Sequence, residues 1–182
     1  MTATEGTLPL PRLEPAPRLL IVAAPFYRSI ADDLIAGARA VLDRAHARHE
    51  LVEVPGALEI PTAIRLASRA RAHDGFVALG CVIRGETTHY EIVSTESSRG
   101  LMLLGLEGLC IGNGILTCET MEQAHVRGAA AEAGGQDKGG GAAAAALHLI
   151  ALARRFRAPG PERAPDDADL LLAGGTGLTR TA

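Results

Sequence analysis

Four short apolar runs alternate with longer amphipathic segments along this chain of 182 residues, and no other feature constrains the fold as strongly. The predicted strands are Leu19 to Ala24, Leu51 to Val54, Gly75 to Ile83 and Leu109 to Leu116. The segments that follow them repeat apolar residues at helical spacing. This order favours a parallel sheet with helices on both faces, because parallel strands need a crossover helix between them. We predict an α/β fold, a flavodoxin-like three-layer α/β/α sandwich with a four-stranded parallel sheet.

The composition predicts one folded domain, residues 18–157, with an extension at each end. Hydrophobic residues make up 47% of the chain, which is enough for a sizeable core. Residues 1–17 lack the basic segment and the apolar run of signal peptides and membrane anchors, so we expect a flexible arm on a cytoplasmic protein. Residues 158–182 are rich in Pro, Gly and Asp, so we expect a disordered tail.

Charge and cysteine content argue against several kinds of ligand. The formal net charge is -3 and no basic cluster with interleaved aromatic residues occurs, so nucleic acid is not an expected partner. The three cysteines, Cys81, Cys110 and Cys118, are odd in number and lack the paired spacing of a zinc site. We therefore expect no metal and no disulfide framework, and interpret the cysteines as small buried apolar residues.

The third predicted strand runs into Arg84-Gly85-Glu86-Thr87-Thr88-His89, which delivers a histidine into the first turn of a helix. Thr88 and Glu91 have the spacing of a capping box, so the helix is predicted to begin at Thr88. The loop amides would lie beside the positive end of the helix dipole, a position that favours a phosphate or an oxyanion. A histidine there is able to transfer protons near neutral pH. The alternative is an ordinary surface or capping histidine.

Further candidate residues follow the other predicted strands, whose carboxyl ends share one rim of a parallel sheet. Phe26 offers a flat face for a planar heterocycle, or else packs in the core. Glu59 can accept hydrogen bonds from a polyol, or is a surface carboxylate favoured by the helix dipole. Arg127 can hold a phosphate with its guanidinium fork, or is a surface cation. Lys138 precedes Gly139 to Gly141 rather than following them, so a P-loop is not supported, and close packing is the alternative for these glycines.

Four motifs in this chain occur in the order and near the spacing of one enzyme family. They are Val54-Pro55-Gly56-Ala57-Leu58-Glu59-Ile60-Pro61, the stretch Gly80 to Tyr90, Gly112-Asn113-Gly114-Ile115-Leu116-Thr117 with Glu122-Gln123-Ala124 and Arg127, and Asp137-Lys138-Gly139. Over about Leu19 to Arg157 the chain resembles the lumazine synthase family. The resemblance implies condensation of 5-amino-6-(D-ribitylamino)uracil with 3,4-dihydroxy-2-butanone 4-phosphate to 6,7-dimethyl-8-ribityllumazine, phosphate and water, in riboflavin biosynthesis. It implies neither cofactor nor metal.

The resemblance also implies roles for individual residues. His89 resembles the family's acid/base, and Phe26 its aromatic stacked on the pyrimidine. The remaining substrate contacts are the ribityl-binding turn Ala57, Leu58 and Glu59, the strand end Cys81, Val82 and Ile83, the phosphate loop Glu86 and Thr87, the phosphate arginine Arg127, Lys138 near the phosphate, and Asn113, which the family supplies across a subunit interface.

The resemblance further implies a homo-oligomer, a ring of five subunits with active sites between them. Two departures bear on this expectation: the turn from Gly128 to Asp137 is a few residues longer than the family's compact form, and the tail after Arg157 is also long. A third departure, Pro25 where the family would place an arginine, concerns the geometry of the first loop. Extra residues in the turn from Gly128 to Asp137 would obstruct contacts between rings, so we expect free or paired pentamers rather than a sixty-subunit shell.

Three other functions fit a fold of this kind. They are a non-catalytic flavin- or lumazine-binding paralogue, a shell-forming paralogue and a generic nucleotide binder. His89 and Arg127 disfavour the first two, because neither function needs a proton-transferring or phosphate-holding side chain. The absence of Gly-x-Gly-x-x-Gly after the first predicted strand disfavours the third.

Overall fold

The computed structural model describes residues 8–157, and its strands form one parallel sheet in the order β2-β1-β3-β4. The elements in chain order are β1 (Arg18–Ala23), α1 (Arg28–Arg44), β2 (Arg48–Glu53), α2 (Glu59–Arg69), β3 (Gly75–Ile83), α3 (His89–Leu106), β4 (Ile111–Cys118), α4 (Met121–Gly128), a 3-10 turn (Ala131–Ala133) and α5 (Lys138–Arg157). The predicted α/β class and four-stranded parallel sheet are confirmed. None of the helices in residues 8–157 combines the length and the apolar character needed to cross a lipid bilayer.

Successive side chains of β1 enter two separate cores, and this creates the three layers. Leu19, Ile21 and Ala23 belong to a cluster completed by α1, α4 and α5. Leu20 and Val22 belong to a second cluster completed by α2 and α3. Both faces of the sheet are therefore covered, which explains why the central strands are almost entirely apolar. The predicted three-layer sandwich is confirmed.

The start of α5 packs closely on α1 because its first turn carries almost no side chains. Gly139 and Gly140 are buried, and a Cβ on Gly139 would collide with the backbone carbonyl of Leu34. The amide of Gly140 donates a hydrogen bond to Asp137 Oδ1 at 2.9 Å, which caps the helix. Close packing is thus the structural role of these glycines.

The predicted bounds of the second and fourth strands are wrong. β2 begins at Arg48 rather than Leu51, because the whole segment pairs with β1 and Arg48 N donates to the carbonyl of Pro17 at 2.8 Å. β4 runs from Ile111 to Cys118 rather than from Leu109 to Leu116, because its last residues pair with the end of β3. Thr120 caps α4, its Oγ1 accepting from Gln123 N at 3.3 Å.

The helix after β3 starts where predicted but without the predicted capping box. Thr88 occupies the N-cap position of α3, yet its side chain makes no capping hydrogen bond. Glu91 pairs with Arg84 instead of reaching back to the helix start. The Glu91 carboxylate thus forms an ion pair with the Arg84 guanidinium in place of the predicted hydrogen bond to a backbone amide.

The described part of the N-terminal extension lies against the domain. Leu10 and Leu13 pack on the cluster formed by α1 and α5, and Pro17 is fully buried. Arg154 Nη1 donates to the carbonyl of Pro15 at 2.7 Å. Such packing does not fit the expected flexible arm over residues 10–17. Residues 1–7 and the tail expected for 158–182 lie outside the described residues.

Candidate active site

The carboxyl ends of β1, β2 and β3 and the loops after them enclose a cavity of about 440 Å³, called here the rim cavity. Its position is the one where open parallel sheets bind ligands. Nine of the thirteen predicted site residues line it, with Tyr27, Pro55, Gly56, Gly85, Tyr90 and Val93 completing the wall. The nine are Phe26, Ala57, Leu58, Glu59, Cys81, Val82, Ile83, Thr87 and His89.

Phe26 is a surface aromatic at this cavity and is not part of the core. Its side chain is 74% exposed, although large apolar side chains are usually buried. Tyr27 supports it edge-on, with ring centroids 5.0 Å apart and an interplanar angle of 76°. An exposed aromatic held in place beside a cavity suits the stacking of a planar ring.

The turn after β2 presents a carboxylate to the same cavity. Glu59 N donates to the carbonyl of Gly56 at 3.2 Å, and Ile60 N donates to the carbonyl of Ala57 at 3.4 Å. The Glu59 carboxylate lies over Gly56, where an added Cβ would stand 3.0 Å from Oε2. A carboxylate at a helix start is stabilised by the dipole and can accept hydrogen bonds from hydroxyl groups.

The end of β3 forms an apolar wall of the cavity. Burial raises the pKa of the Cys81 thiol to about 12, and contact with the Cys118 thiol contributes to this shift. A neutral thiol is a poor nucleophile, so Cys81 serves as wall rather than as reactive group. All three cysteines are free and buried, which confirms their interpretation as small apolar residues.

His89 is the first residue of α3 and follows an exposed loop whose amides face outward. Within residues 8–157, the amides of Gly85, Glu86 and Thr87 donate to no protein acceptor. Gly85 lies in open space, with no atom within 4 Å of where its Cβ would stand. Free amides beside a helix N-terminus are suited to an anion, and His89 stands next to them.

Arg84 ties this loop to its surroundings, a role that sequence reasoning missed. Its guanidinium donates to Glu91 on α3 and, through Nε at 2.6 Å, to Glu119 at the end of β4. It also stacks over the Tyr90 ring, 4.2 Å from the centroid. The hydrogen bonds with Arg84 hold the pKa of Glu91 below its usual range. The sequence shows only that Arg84 stands seven residues before Glu91. The capping-box spacing of Thr88 and Glu91 favoured a backbone amide as the partner of the Glu91 carboxylate instead.

The other predicted residues lie elsewhere on the chain. Asn113, Arg127 and Lys138 line a second cavity of about 320 Å³ between β4, α4 and α5, which shares no lining residue with the rim cavity. Arg127 Nη1 donates to the carbonyl of Gln123 at 3.0 Å, and Asn113 Oδ1 accepts from Ile115 N at 3.0 Å. Glu86 is exposed on the loop and lines neither cavity.

The part of the chain covered by the structure contains no cluster of three or more His, Cys, Asp or Glu residues able to hold a metal ion. The protein groups available in the rim cavity for chemistry are therefore an imidazole, a carboxylate, hydroxyl groups and backbone amides. These groups can bind a planar polar molecule, hold an anion and transfer protons.

Comparison with known proteins identifies the family. The family model described as 6,7-dimethyl-8-ribityllumazine synthase matches residues 16–154. The protein of that name from Jannaschia sp. (strain CCS1) is 54% identical over 156 residues, covering 86% of both chains. The one from Novosphingobium aromaticivorans is 54% identical over 139 residues, covering 76% of this chain and 98% of that protein. This chain belongs to the 6,7-dimethyl-8-ribityllumazine synthase family.

Proposed function

We propose that the chain condenses 5-amino-6-(D-ribitylamino)uracil with 3,4-dihydroxy-2-butanone 4-phosphate to 6,7-dimethyl-8-ribityllumazine, phosphate and water, and that it does so in the rim cavity. It is a transferase of riboflavin biosynthesis. The observation that carries the assignment is the convergence of Phe26, the Glu59 turn, the end of β3 and His89 on one cavity in a chain of this family. We further propose that the chain carries out this step in the cytoplasm.

The groups in the rim cavity match the two substrates. Phe26 stacks on the uracil ring, whose polar edge lies along Cys81, Val82 and Ile83. Glu59 accepts hydrogen bonds from the ribityl hydroxyls. The amides of the loop before His89 face the phosphate of the second substrate.

His89 is positioned for the repeated proton transfers that the reaction needs. The 5-amino group attacks the ketone and water is lost to form an imine, after which phosphate is eliminated. The ribitylamino nitrogen then attacks the remaining carbonyl and a second water is lost as the ring closes. Each of these steps moves a proton at atoms held in the same small cavity. Binding both substrates in a fixed orientation supplies much of the remaining rate enhancement.

The second cavity supports a site shared between subunits. The described lining of the rim cavity contains no lysine or arginine, although the second substrate carries a phosphate. Arg127 and Lys138 supply two cations, and Asn113 lies beside them on an edge strand. A homo-oligomer, specifically a ring of five, in which the second cavity of one subunit faces the rim cavity of the next would complete the site.

Two measurements test these proposals. Mixing the purified protein with both substrates should produce the lumazine chromophore well above the uncatalysed background. No increase over background would leave a binding or shell-forming paralogue as the better description. At a butanone phosphate concentration far below its KM, where both variants are impaired, co-assembling His89→Ala subunits with Arg127→Ala subunits should raise activity several-fold, because some interfaces then join an intact His89 to an intact Arg127. The same two variants assembled separately and then combined are the control, and activity no higher after co-assembly would place each site within one chain.

A further inference from the structure

A cavity of about 860 Å³ lies at the opposite end of the sheet from the rim cavity, and we call it the basal cavity. Phe76 and Cys110, at the amino ends of β3 and β4, form its inner wall, and the last turns of α2, α3 and α5 surround it. On β3 the nearest lining residues of the two cavities, Phe76 and Cys81, are five residues and so roughly 16 Å apart. The basal cavity is therefore not part of the site that binds the substrates.

The basal cavity is lined by five arginines and only two acidic residues. Both acids already have cationic partners: Glu107 pairs with Arg65 at 2.9 Å, and Asp74 pairs with Arg154 at 3.5 Å. Asp74 also accepts a hydrogen bond from the amide of Arg18 at 2.8 Å. Within residues 8–157, the other three arginines have no carboxylate partner, so the basal cavity carries unneutralised positive charge; these are Arg69, Arg71 and Arg157.

Helix dipoles could account for some of these arginines without a ligand, because cations in the last turn of a helix interact favourably with its dipole. Arg69 and Arg157 occupy such positions in α2 and α5. Arg71 does not, because α2 ends at Arg69 and Arg71 lies in the loop that follows. The dipoles therefore do not account for the whole positive charge.

His73 gives an independent indication of a missing polar partner. Its side chain is 10% exposed, and both ring nitrogens are buried without a hydrogen bond in the structure. The nearest carboxylate oxygen, Glu50 Oε2, lies 3.8 Å from Nε2, beyond hydrogen-bonding distance. Buried polar atoms in folded proteins are almost always paired, so the unpaired imidazole in this wall is an exception.

We propose that the basal cavity binds a small multivalent oxyanion, such as a phosphate ester or a polycarboxylate. Guanidinium groups bind phosphate and carboxylate oxygens through paired hydrogen bonds, and three of them are available around one cavity. The volume lies within the range of small-molecule sites in proteins. The apolar side of the cavity, formed by Leu109, Ile150 and Ala153, leaves room for a carbon skeleton attached to the anionic groups.

The test is calorimetric titration of the full-length, assembled protein with inorganic pyrophosphate and with citrate as phosphate and carboxylate probes. All measurements use an Arg127→Ala background, which weakens anion binding at the candidate active site. Arg71→Gln/Arg157→Gln removes two unpartnered, exposed cations from the basal cavity. Arg39→Gln/Arg44→Gln, on exposed positions of α1 outside every described cavity, makes the same change in net charge and is the matched control.

We expect saturable binding of at least one probe at one site per chain, weakened about tenfold or more by Arg71→Gln/Arg157→Gln, since charge-assisted hydrogen bonds are lost. The control pair should leave the affinity unchanged, and the tighter probe assigns the ligand class. Arg71→Gln/Arg157→Gln in the parent chain should retain the condensation rate, which separates this site from the proposed reaction. Binding of neither probe, or equal weakening by both pairs of substitutions, would overturn the proposal.

Discussion

At the scale of single residues, His89 is the only imidazole that lines the rim cavity in the described chain. We expect His89→Ala to lower kcat about a hundredfold, the usual contribution of a positioned acid or base, while KM for both substrates changes little. Steady-state kinetics on the lumazine chromophore check this. His125→Ala, an exposed histidine on α4 outside both cavities, is the control. A variant that keeps the parental kcat would show that His89 does not transfer the protons.

Arg127 is the second residue whose role can be isolated. Arg127→Ala should remove the charge-assisted contact to phosphate that we propose for this guanidinium, and so raise KM for the butanone phosphate about tenfold. KM for the ribitylaminouracil should stay near its parental value. Arg155→Ala, an exposed cation on α5, should change neither constant. An equal rise in both KM values would instead indicate that Arg127 acts structurally.

At the scale of secondary-structure elements, Arg84 links the end of β3 to the first turn of α3 and to the end of β4. We expect Arg84→Met to reduce kcat about tenfold. Arg84 holds the first turn of α3, which carries His89, and small displacements of a group that transfers protons are costly. Thermal stability should barely change, since the ion pairs are exposed. Arg99→Met removes the exposed Arg99–Glu96 pair within α3 and should leave kcat unchanged. If both variants lost activity, the loss would come from a general disturbance of α3 and not from the ion pairs of Arg84.

The packing of α5 on α1 requires a glycine at position 139 but not at position 141. Gly139→Ala would force a methyl group against the Leu34 carbonyl, and overpacking of this kind costs about 1–3 kcal/mol. Gly141→Ala meets nothing within 4 Å and should be neutral or stabilising by up to about 1 kcal/mol. Urea unfolding followed by circular dichroism measures both. Similar stabilities for the two variants would contradict the close approach of the helices.

At the scale of the whole molecule, the turn between α4 and α5 bears on assembly. Gly134 adopts a left-handed conformation there, with φ of 80°, and hydrogen bonds from Gln136 N to the carbonyl of Val126 and from Asp137 N to that of Ala129 close the turn. We expect light scattering coupled to size exclusion to give the mass of five or ten chains of 18.9 kDa each. A mass near a megadalton would show that the turn permits shells, and a monomer would contradict the shared site.

The sequence determined the layer order and most of the rim cavity by itself. Apolar runs long enough for buried strands, separated by helical periodicity, admit few topologies, and the carboxyl ends of parallel strands meet on one side. Phe26, Glu59 and His89 follow three different strands, so their convergence on one cavity was predictable. Four motifs in the family's order and near its spacing, one of them around His89, also identified the family.

Only the tertiary structure decided which partners the polar side chains take and which cavity each residue enters. The Glu91 carboxylate could cap α3 or pair with Arg84. It forms the ion pair because the fold brings the end of β3 and the first turn of α3 close together. Arg127 and Lys138 were predicted near the phosphate, but packing of α4 and α5 beside β4 places them in a separate cavity of the same chain. The basal cavity gathers residues from three helix ends that are remote in sequence. Local patterns specify elements, whereas contacts between remote residues depend on how those elements pack together.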